Sequence, residues 1–194
     1  MLAAPSTINA PSDSKTAYTK KDYTLVFMLD EQNRKILLGM KKRGFGVNLY
    51  NGFGGKVEPG ESVYQAAVRE LEEEATIRAK LLRKLAINVF TFENDPLAVV
   101  VHIFFATEFE GKPAETEEMR PEWFDYDSIP HEQMWPDARV WFQHMLKKQP
   151  FLGEYHFSED QRSTLAENFQ LLSEPPEEYD ITKSTVLKQQ RITQ

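Results

Sequence analysis

Seven residues at fixed spacing constrain this chain more than any other feature of its sequence. Starting from Gly55, the pattern is G-x5-E-x7-R-E-L-x-E-E, and it ends with Glu70, Glu73 and Glu74. On a helix that turns about 100° per residue, these three glutamates lie on one face. Any fold of the chain must therefore accommodate three neighbouring carboxylates at the end of a helix.

The helix itself is predicted over 62–75, with Ser62 as its N-cap after a Pro-Gly turn. The face that ends in the glutamates begins with apolar residues, so it is oriented partly towards the core. Packed there, like charges would repel one another and lose hydration, and a divalent cation would relieve both costs. On helix and charge alone, a solvated acidic surface is the simpler interpretation.

The wider spacing reverses that preference, because the seven positions resemble the Nudix box of the Nudix hydrolase superfamily. The resemblance implies the α+β Nudix fold, a mixed β-sheet sandwiched by α-helices. It also implies Mg²⁺-dependent hydrolysis of a nucleoside diphosphate linked to another moiety, with Mn²⁺ as an alternative cofactor. Where the family has glycine two residues after the last glutamate, this chain has Thr76. If that glycine forms a left-handed helix end, Thr76 costs about 1 kcal/mol there.

By the same resemblance, individual residues acquire catalytic roles. Glu74 would activate the attacking water, and Arg69 would orient the glutamates through its i,i+4 relation to Glu73. Glu61 would lie in an outer shell. The metal would be held by carboxylate and carbonyl oxygens, which hard cations prefer, from Gly54, Glu70, Glu73, Glu74 and Glu118.

Four further segments are similar to a branch of the superfamily that hydrolyses oxidised purine nucleoside triphosphates. They read Gly39-Met-Lys-Lys-Arg-Gly-Phe-Gly46, Asn51-Gly-Phe-Gly-Gly-Lys-Val57, Met119-Arg-Pro-x-Trp-Phe124 and Met134-Trp-Pro-Asp137. The similarity implies a base pocket that combines hydrogen bonding with aromatic stacking. Its predicted residues are Thr24, Lys41, Phe45, Asn51, Phe90, Met119, Trp135, Asp137 and Trp141.

Three positions depart from that branch and bear on substrate choice. The family pocket has a second Asp after the first, but here that position is Ala138, while Tyr50 replaces a Trp and Val99 replaces a Met. Without a like-charged neighbour, Asp137 is predicted to ionise readily and to act mainly as a hydrogen-bond acceptor. We expect catalysis to be retained and base selectivity to shift.

The coarse organisation is a flexible tail over 1–21, a Nudix domain over 22–172 and a polar tail over 173–194. Short apolar runs separated by turns predict strands that pair in meanders, with a second helix over 137–148. Strands are expected over 23–29, 35–40, 85–92, 98–108, 119–126, 153–157 and 165–171.

The amino-acid composition limits the partners that this chain can bind and the chemistry that it can perform. The net charge of −7 argues against binding to nucleic acid polymers or anionic membranes, and the absence of Cys excludes thiol chemistry. We expect a monomeric, cytoplasmic enzyme acting on a small nucleotide, with nuclear and mitochondrial pools as alternatives. The expected activity converts 8-oxo-dGTP or 2-hydroxy-dATP to the monophosphate and pyrophosphate, sanitising the nucleotide pool. The alternatives are a methylated purine triphosphate or a dinucleoside polyphosphate as substrate, and a non-catalytic nucleotide sensor.

Overall fold

The computed structural model describes residues 18–44, 46–161 and 163–188, which form a mixed sheet with helices packed on both faces. The strands are β1 (Thr19–Asp30), β2 (Lys35–Lys41), β3 (Tyr50–Asn51), β4 (Ile77–Ala79), β5 (Arg83–Phe92), β6 (Asp95–Ala106), β7 (Phe109–Gly111), β8 (Met119–Asp125), β9 (Phe151–Phe157) and β10 (Thr164–Leu171). The helices are α1 (Val63–Ala75) and α2 (Ala138–Leu146), with 3-10 turns at His131–Gln133 and Ile181–Lys183. Neither of these two described helices is long and apolar enough to span a bilayer.

The main sheet has eight strands in the order β10-β9-β5-β6-β1-β2-β3, with β8 also paired to β2. Strands β1 and β6 run parallel, as do β5 and β9, whereas the other neighbours in this sheet are antiparallel. Strands β4 and β7 form a separate two-stranded sheet. This mixed arrangement confirms the α+β architecture expected from the sequence.

Alternate side chains of β1 supply the cores on the two faces of the sheet, as the two-residue period of a strand requires. Phe27 packs edge-on against Phe142 of α2, with ring centroids 5.5 Å apart. Met28 points to the other face and shares a buried cluster with Leu71 of α1. The helix that carries the glutamates and the helix that follows Asp137 therefore lie on opposite faces.

The predicted start and end of α1 are both observed. Ser62 and Gln65 form a reciprocal capping box, with backbone-to-side-chain hydrogen bonds of 2.8 and 3.2 Å. Thr76 ends the helix in the left-handed conformation, with φ 59° and ψ 23°. Its hydroxyl donates to the Lys112 carbonyl at 2.9 Å, which offsets part of the cost of a β-branched residue there.

The glycine-rich loop before α1 is bound to β1 by backbone hydrogen bonds. The Val26 N–H donates to the Phe53 carbonyl at 2.7 Å, and the Phe53 N–H donates back at 2.9 Å. The Thr24 N–H donates to the Gly55 carbonyl at 2.8 Å. These bonds fix Gly54 and Gly55 beside the end of α1, where the glutamates lie.

Several element bounds differ from the sequence prediction. Strand β1 begins at Thr19 rather than near Tyr23, because 19–28 pairs in parallel with 97–106. Helix α2 ends at Leu146, two residues before the predicted end. The sequence analysis did not identify β3, β4 or β7, which contain only two or three residues each.

The segment after β10 was predicted to be a solvated polar tail. Residues 173–178 are exposed or half-buried, but the prediction is wrong for 179–187, which contains buried residues. Tyr179 is buried against a cluster of apolar residues on β5 and β6, and its hydroxyl donates to the Glu154 carboxylate. Val186 and Leu187 are also buried. A few apolar residues anchor this otherwise polar stretch to the sheet. The rest of the two predicted tails, residues 1–17 and 189–194, lies outside the described residues.

Candidate active site

Glu74 is the most buried of the glutamates at the end of α1, with a relative exposure of 2%. Its carboxylate accepts hydrogen bonds from the Gly54 N–H at 2.8 Å and from Lys41 Nζ at 2.9 Å. Burial nevertheless raises the pKa of Glu74 above its ordinary value, because desolvation outweighs these two donors. A carboxylate with a raised pKa is suited to accept a proton at near-neutral pH.

Arg69 links the other carboxylates of the box. Its guanidinium contacts both oxygens of Glu61 at 2.7 and 3.1 Å, and it donates to Glu70 at 2.8 Å and Glu73 at 3.1 Å. It also donates to the Lys56 carbonyl at 3.2 Å. These contacts hold the pKa of Glu61 below its ordinary value and raise that of Arg69. The side chain is therefore placed to orient the glutamates, the role that the resemblance implies.

Lys41 joins the helix to the loop that precedes β8. Its ammonium lies 2.9 Å from Glu74 and 3.3 Å from Glu118, and Arg43 also pairs with Glu118. The arginine and the lysine lower the pKa of Glu118. The structure thus places Glu118 beside Glu74, although 44 positions separate them in the sequence.

The predicted metal ligands are hard oxygen donors, the chemistry that Mg²⁺ and Mn²⁺ require. Glu70 is packed so tightly against Gly55 that a Cβ at that glycine would collide with its carboxylate. Burial raises the pKa of Glu70, so its negative charge is poorly solvated even beside Arg69. In the part of the chain that the structure describes, no three acidic or histidine side chains form a ready-made cation cage. Arg69 and Lys41 instead form ion pairs with the carboxylates. The carboxylate and carbonyl oxygens of the predicted ligands are nevertheless of the type that a divalent cation binds.

A cavity of about 710 Å³ lies next to these carboxylates, between the sheet and the start of α2. Its size is that of a small-molecule site. The cavity is continuous with the acidic region, because three residues belong to both: Lys41, Gly54 and Glu118. The structure brings together these predicted base-pocket residues: Thr24, Lys41, Asn51, Phe90, Met119, Trp135, Asp137 and Trp141. Phe45 lies outside the described residues.

Asp137 corrects one prediction about this pocket. It lies before the first residue of α2 and caps no backbone N–H, and its carboxylate instead accepts from Trp141 Nε1 at 2.7 Å. Its relative exposure is 4%, and desolvation raises its pKa from 3.8 to about 6. The expectation of a readily ionised acceptor was wrong, because burial alone raises the pKa without a second carboxylate. With a pKa of about 6, Asp137 carries a proton and can donate a hydrogen bond below that pH, whereas above it the carboxylate accepts.

The pocket aromatics combine structural and recognition positions. Trp141 is buried and packs on Phe27 and Phe151, so it belongs to the core as well as to the cavity wall. Trp135 is half-buried, and its indole packs against the backbone at Gly46. Trp135 is therefore the more accessible of the two for stacking on a base.

Of the three departures from the family branch, two line the cavity. Ala138 and Val99 are in its wall. Tyr50 is not; its ring packs on Phe124, and its hydroxyl donates to Glu122 at 2.7 Å.

The sequence analysis missed Asn88, which lines the cavity from β5. An amide inside the apolar run Leu85-Ala-Ile-Asn-Val-Phe90 was a signal that could have identified it. Tyr23, Phe92 and Phe157 also line the cavity and were missed, because no motif distinguishes these aromatic strand residues from core residues. Met134 was missed although it begins one of the four similar segments.

Known proteins share this arrangement over most of the chain. A family model described as the NUDIX domain matches residues 19–145. Two oxidized purine nucleoside triphosphate hydrolases are similar: that of Danio rerio is 50% identical over 140 residues, or 72% of this chain and 88% of that protein. The hydrolase of Mus musculus is 46% identical over 148 residues, which cover 76% of this chain and 93% of that protein. The crystal structure of a mutator MutT protein from Bacillus halodurans covers 80% of this chain and 99% of its own, with 26% identity and a TM-score of 0.67.

Proposed function

The chain belongs to the NUDIX family of hydrolases, and on that premise we propose that its substrates are oxidised purine nucleoside triphosphates such as 8-oxo-dGTP or 2-hydroxy-dATP. The products would be the monophosphate and pyrophosphate. One observation carries this proposal: an aromatic and polar cavity large enough for a nucleoside adjoins a cluster of buried and cation-paired carboxylates. The names of the zebrafish and mouse relatives support the same substrate class.

In this reaction a water oxygen bonds to phosphorus, and the bond from phosphorus to the oxygen that bridges the α and β phosphates breaks. Mg²⁺, or Mn²⁺ in its place, would be held by Glu70, Glu73, Glu74, Glu118 and the Gly54 carbonyl. It would neutralise phosphate charge and lower the pKa of bound water. Arg69 and Lys41 hold these carboxylates in place through the contacts described above.

Glu74 is the residue that we assign to receive the proton from the attacking water. Its burial raises its pKa, and the Gly54 N–H fixes one carboxylate oxygen. The leaving pyrophosphate is charged at neutral pH and needs no strong acid. Lys41, beside Glu74 and at the cavity wall, is placed to contact a phosphate.

At the other end of the cavity, Asp137 and Asn51 would hydrogen-bond the base while Trp135 stacks on it. Such stacking contributes about 1 to 3 kcal/mol per base. The cavity and the carboxylates come from one chain, which supports a monomer as the active form. We propose that it acts on the dissolved nucleotide pool of the cytosol, removing oxidised precursors before they enter DNA.

Pyrophosphate release from 8-oxo-dGTP, 2-hydroxy-dATP, dGTP, dATP, a methylated purine triphosphate and a dinucleoside polyphosphate, each with Mg²⁺, tests the proposal. We expect the oxidised purines to have the highest kcat/KM. Glu74→Gln should lower kcat about 10²- to 10⁴-fold and leave nucleotide binding nearly unchanged.

Glu72→Gln is the matched control, since Glu72 lies on the same helix but is exposed and paired with Arg78 outside the site. Its activity should equal that of the parent. Preference for the methylated purine or the dinucleoside polyphosphate would overturn the substrate assignment. Nucleotide binding without any hydrolysis would indicate a sensor.

A further inference from the structure

Two buried polar atoms, one in the wall of the base cavity and one behind it, have no hydrogen-bond partner among the described residues. They are Oδ1 of Asn88 and the hydroxyl oxygen of Tyr155. Both residues have a relative exposure of 1%. An unpartnered buried polar group costs about 1 to 3 kcal/mol, so two of them side by side call for an explanation.

Both groups converge on the same point of the sheet. Asn88 on β5 faces Gly153 on the parallel strand β9, and Tyr155 lies two residues further along β9. A Cβ at Gly153 would collide with Asn88 Oδ1 and would lie 2.9 Å from the Tyr155 hydroxyl oxygen. The Tyr155 ring stacks under Phe90, a cavity residue, at 5.6 Å between centroids. Of the two polar groups, the Asn88 side chain is the one that lines the cavity.

The strand order fixes which part of a nucleotide would reach Asn88. Gly54 and Gly55 are bound to β1, whereas Asn88 lies on β5, two strands further along β1-β6-β5. The loop itself lies one spacing from β1, so three spacings of about 4.8 Å, or roughly 14 Å, separate the phosphate end from Asn88. A nucleotide with its phosphates beside Gly54 therefore directs the base edge farthest from the sugar, that of the six-membered ring, towards Asn88.

We propose that Asn88 is a specificity-determining residue that hydrogen-bonds the six-membered ring edge of the bound purine. This inference rests on the proposed function. A side-chain amide offers both an acceptor and a donor, so it can pair with the N1–H and 6-oxo group of a guanine. Turned over, it can pair with N1 and the 6-amino group of an adenine. Ala138 of α2 supplies no polar side chain to the cavity, whereas Asn88 supplies an uncharged polar side chain from β5.

The proposal predicts opposite effects on affinity and on stability. Asn88→Leu keeps most of the volume and removes the amide, so the KM for 8-oxo-dGTP should rise about five- to tenfold, the value of one buried hydrogen bond. The kcat should change less than twofold. Because the amide is unpartnered in the free protein, the melting temperature should stay the same or rise. Asn88→Val, which suits a central strand, provides a second variant with the same expectation.

Tyr126→Phe is the matched control, because it removes another buried unpartnered hydroxyl that lies outside the cavity lining. It should leave KM unchanged. If both Asn88 variants keep the parent KM, the proposal is wrong whatever their stability. A loss of stability in that case would show that Asn88 is a structural residue.

A binding measurement without metal separates this inference from the proposed function. We would determine the Kd of dGMP and of the 2-aminopurine deoxynucleoside monophosphate, which lacks the 6-oxo group and the N1 proton, by calorimetry. The parent should favour dGMP, and Asn88→Leu should reduce that preference about fivefold. If the parent shows this preference but does not hydrolyse 8-oxo-dGTP, the function fails and the inference stands. If it hydrolyses 8-oxo-dGTP while the variants retain the preference, the inference fails alone.

Discussion

Replacing Asp137 with asparagine should stabilise the protein at pH 8 and change it little at pH 4. The reason is the burial that raises the pKa of this carboxyl from 3.8 to about 6. Between these two values the folded chain binds more protons at this site than the unfolded chain. The free energy of unfolding therefore falls as the pH rises through this window, and the cost is complete above about pH 7.

The size of this stability difference follows from the pKa of Asp137 in the unfolded and the folded chain. Each tenfold difference in proton affinity is worth about 1.4 kcal/mol, so an ionised Asp137 costs the folded state about 3 kcal/mol at pH 8. At pH 5 the cost is about half of this, and at pH 4 it is about 0.5 kcal/mol. The asparagine carbonyl can still accept from Trp141 Nε1, so Asp137→Asn removes the charge and retains the acceptor.

The assay is urea unfolding at pH 4, 5 and 8, followed by far-ultraviolet circular dichroism for the parent and the variant. Subtracting the two free energies at each pH removes the contribution of every other titrating group. Asp127→Asn is the control, because it makes the same substitution at a carboxyl that is exposed on the surface rather than buried. A variant less stable than the parent at pH 8, or a gain that does not change with pH, would refute the reasoning.

Three further substitutions test other parts of the structure. Thr76→Gly should raise the melting temperature by about 1 to 2 °C, since the relief of about 1 kcal/mol at the left-handed residue is only partly offset by the loss of one exposed hydrogen bond; an unchanged or lower value in a thermal scan would contradict this. Ala138→Asp should raise kcat/KM for 8-oxo-dGTP relative to the parent by restoring a second carboxyl to the wall, and equal values would show that the pocket recognises the base elsewhere. Arg69→Lys should lower kcat about 10- to 100-fold, because a single ammonium cannot replace the guanidinium contacts to several carboxylates; activity within twofold of the parent would exclude an orienting role.

The helix of the box was predictable because its signals are local. Ser62 and Gln65 cap the helix with their own side chains, whereas the left-handed end at Thr76 was expected from the resemblance and not from a local signal. The contact of Arg69 with Glu73 also follows from local i,i+4 helical spacing, whereas its contact with the adjacent Glu70 does not. What spacing could not show is that Lys41 and Glu118 meet Glu74, because those contacts depend on how β2 and β8 pair.

The segment after β10 shows a different limit. Its average composition is polar, and composition was the basis for predicting a tail. Tyr179, Val186 and Leu187 are spaced too irregularly to produce a helical or strand period. Each is nevertheless buried, and Tyr179 packs on the apolar surface that β5 and β6 present. Irregular segments of this kind can be located only once the surface that binds them is known.

The motifs predicted several residues of the base cavity, but they predicted neither Asn88 nor the electrostatics of the pocket. Identifying Asp137 required only a matching motif, whereas its protonation depends on the apolar and aromatic side chains that exclude water from it. The same holds for Asn88, an uncharged group whose significance arises because β9 presents a glycine opposite it and leaves the amide oxygen unpartnered. Both residues reduce the stability of the free protein, one by a buried charge and the other by an unmade hydrogen bond. If a purine edge supplies the missing partners, part of that cost is recovered on binding, and substitutions that stabilise this cavity should weaken nucleotide binding.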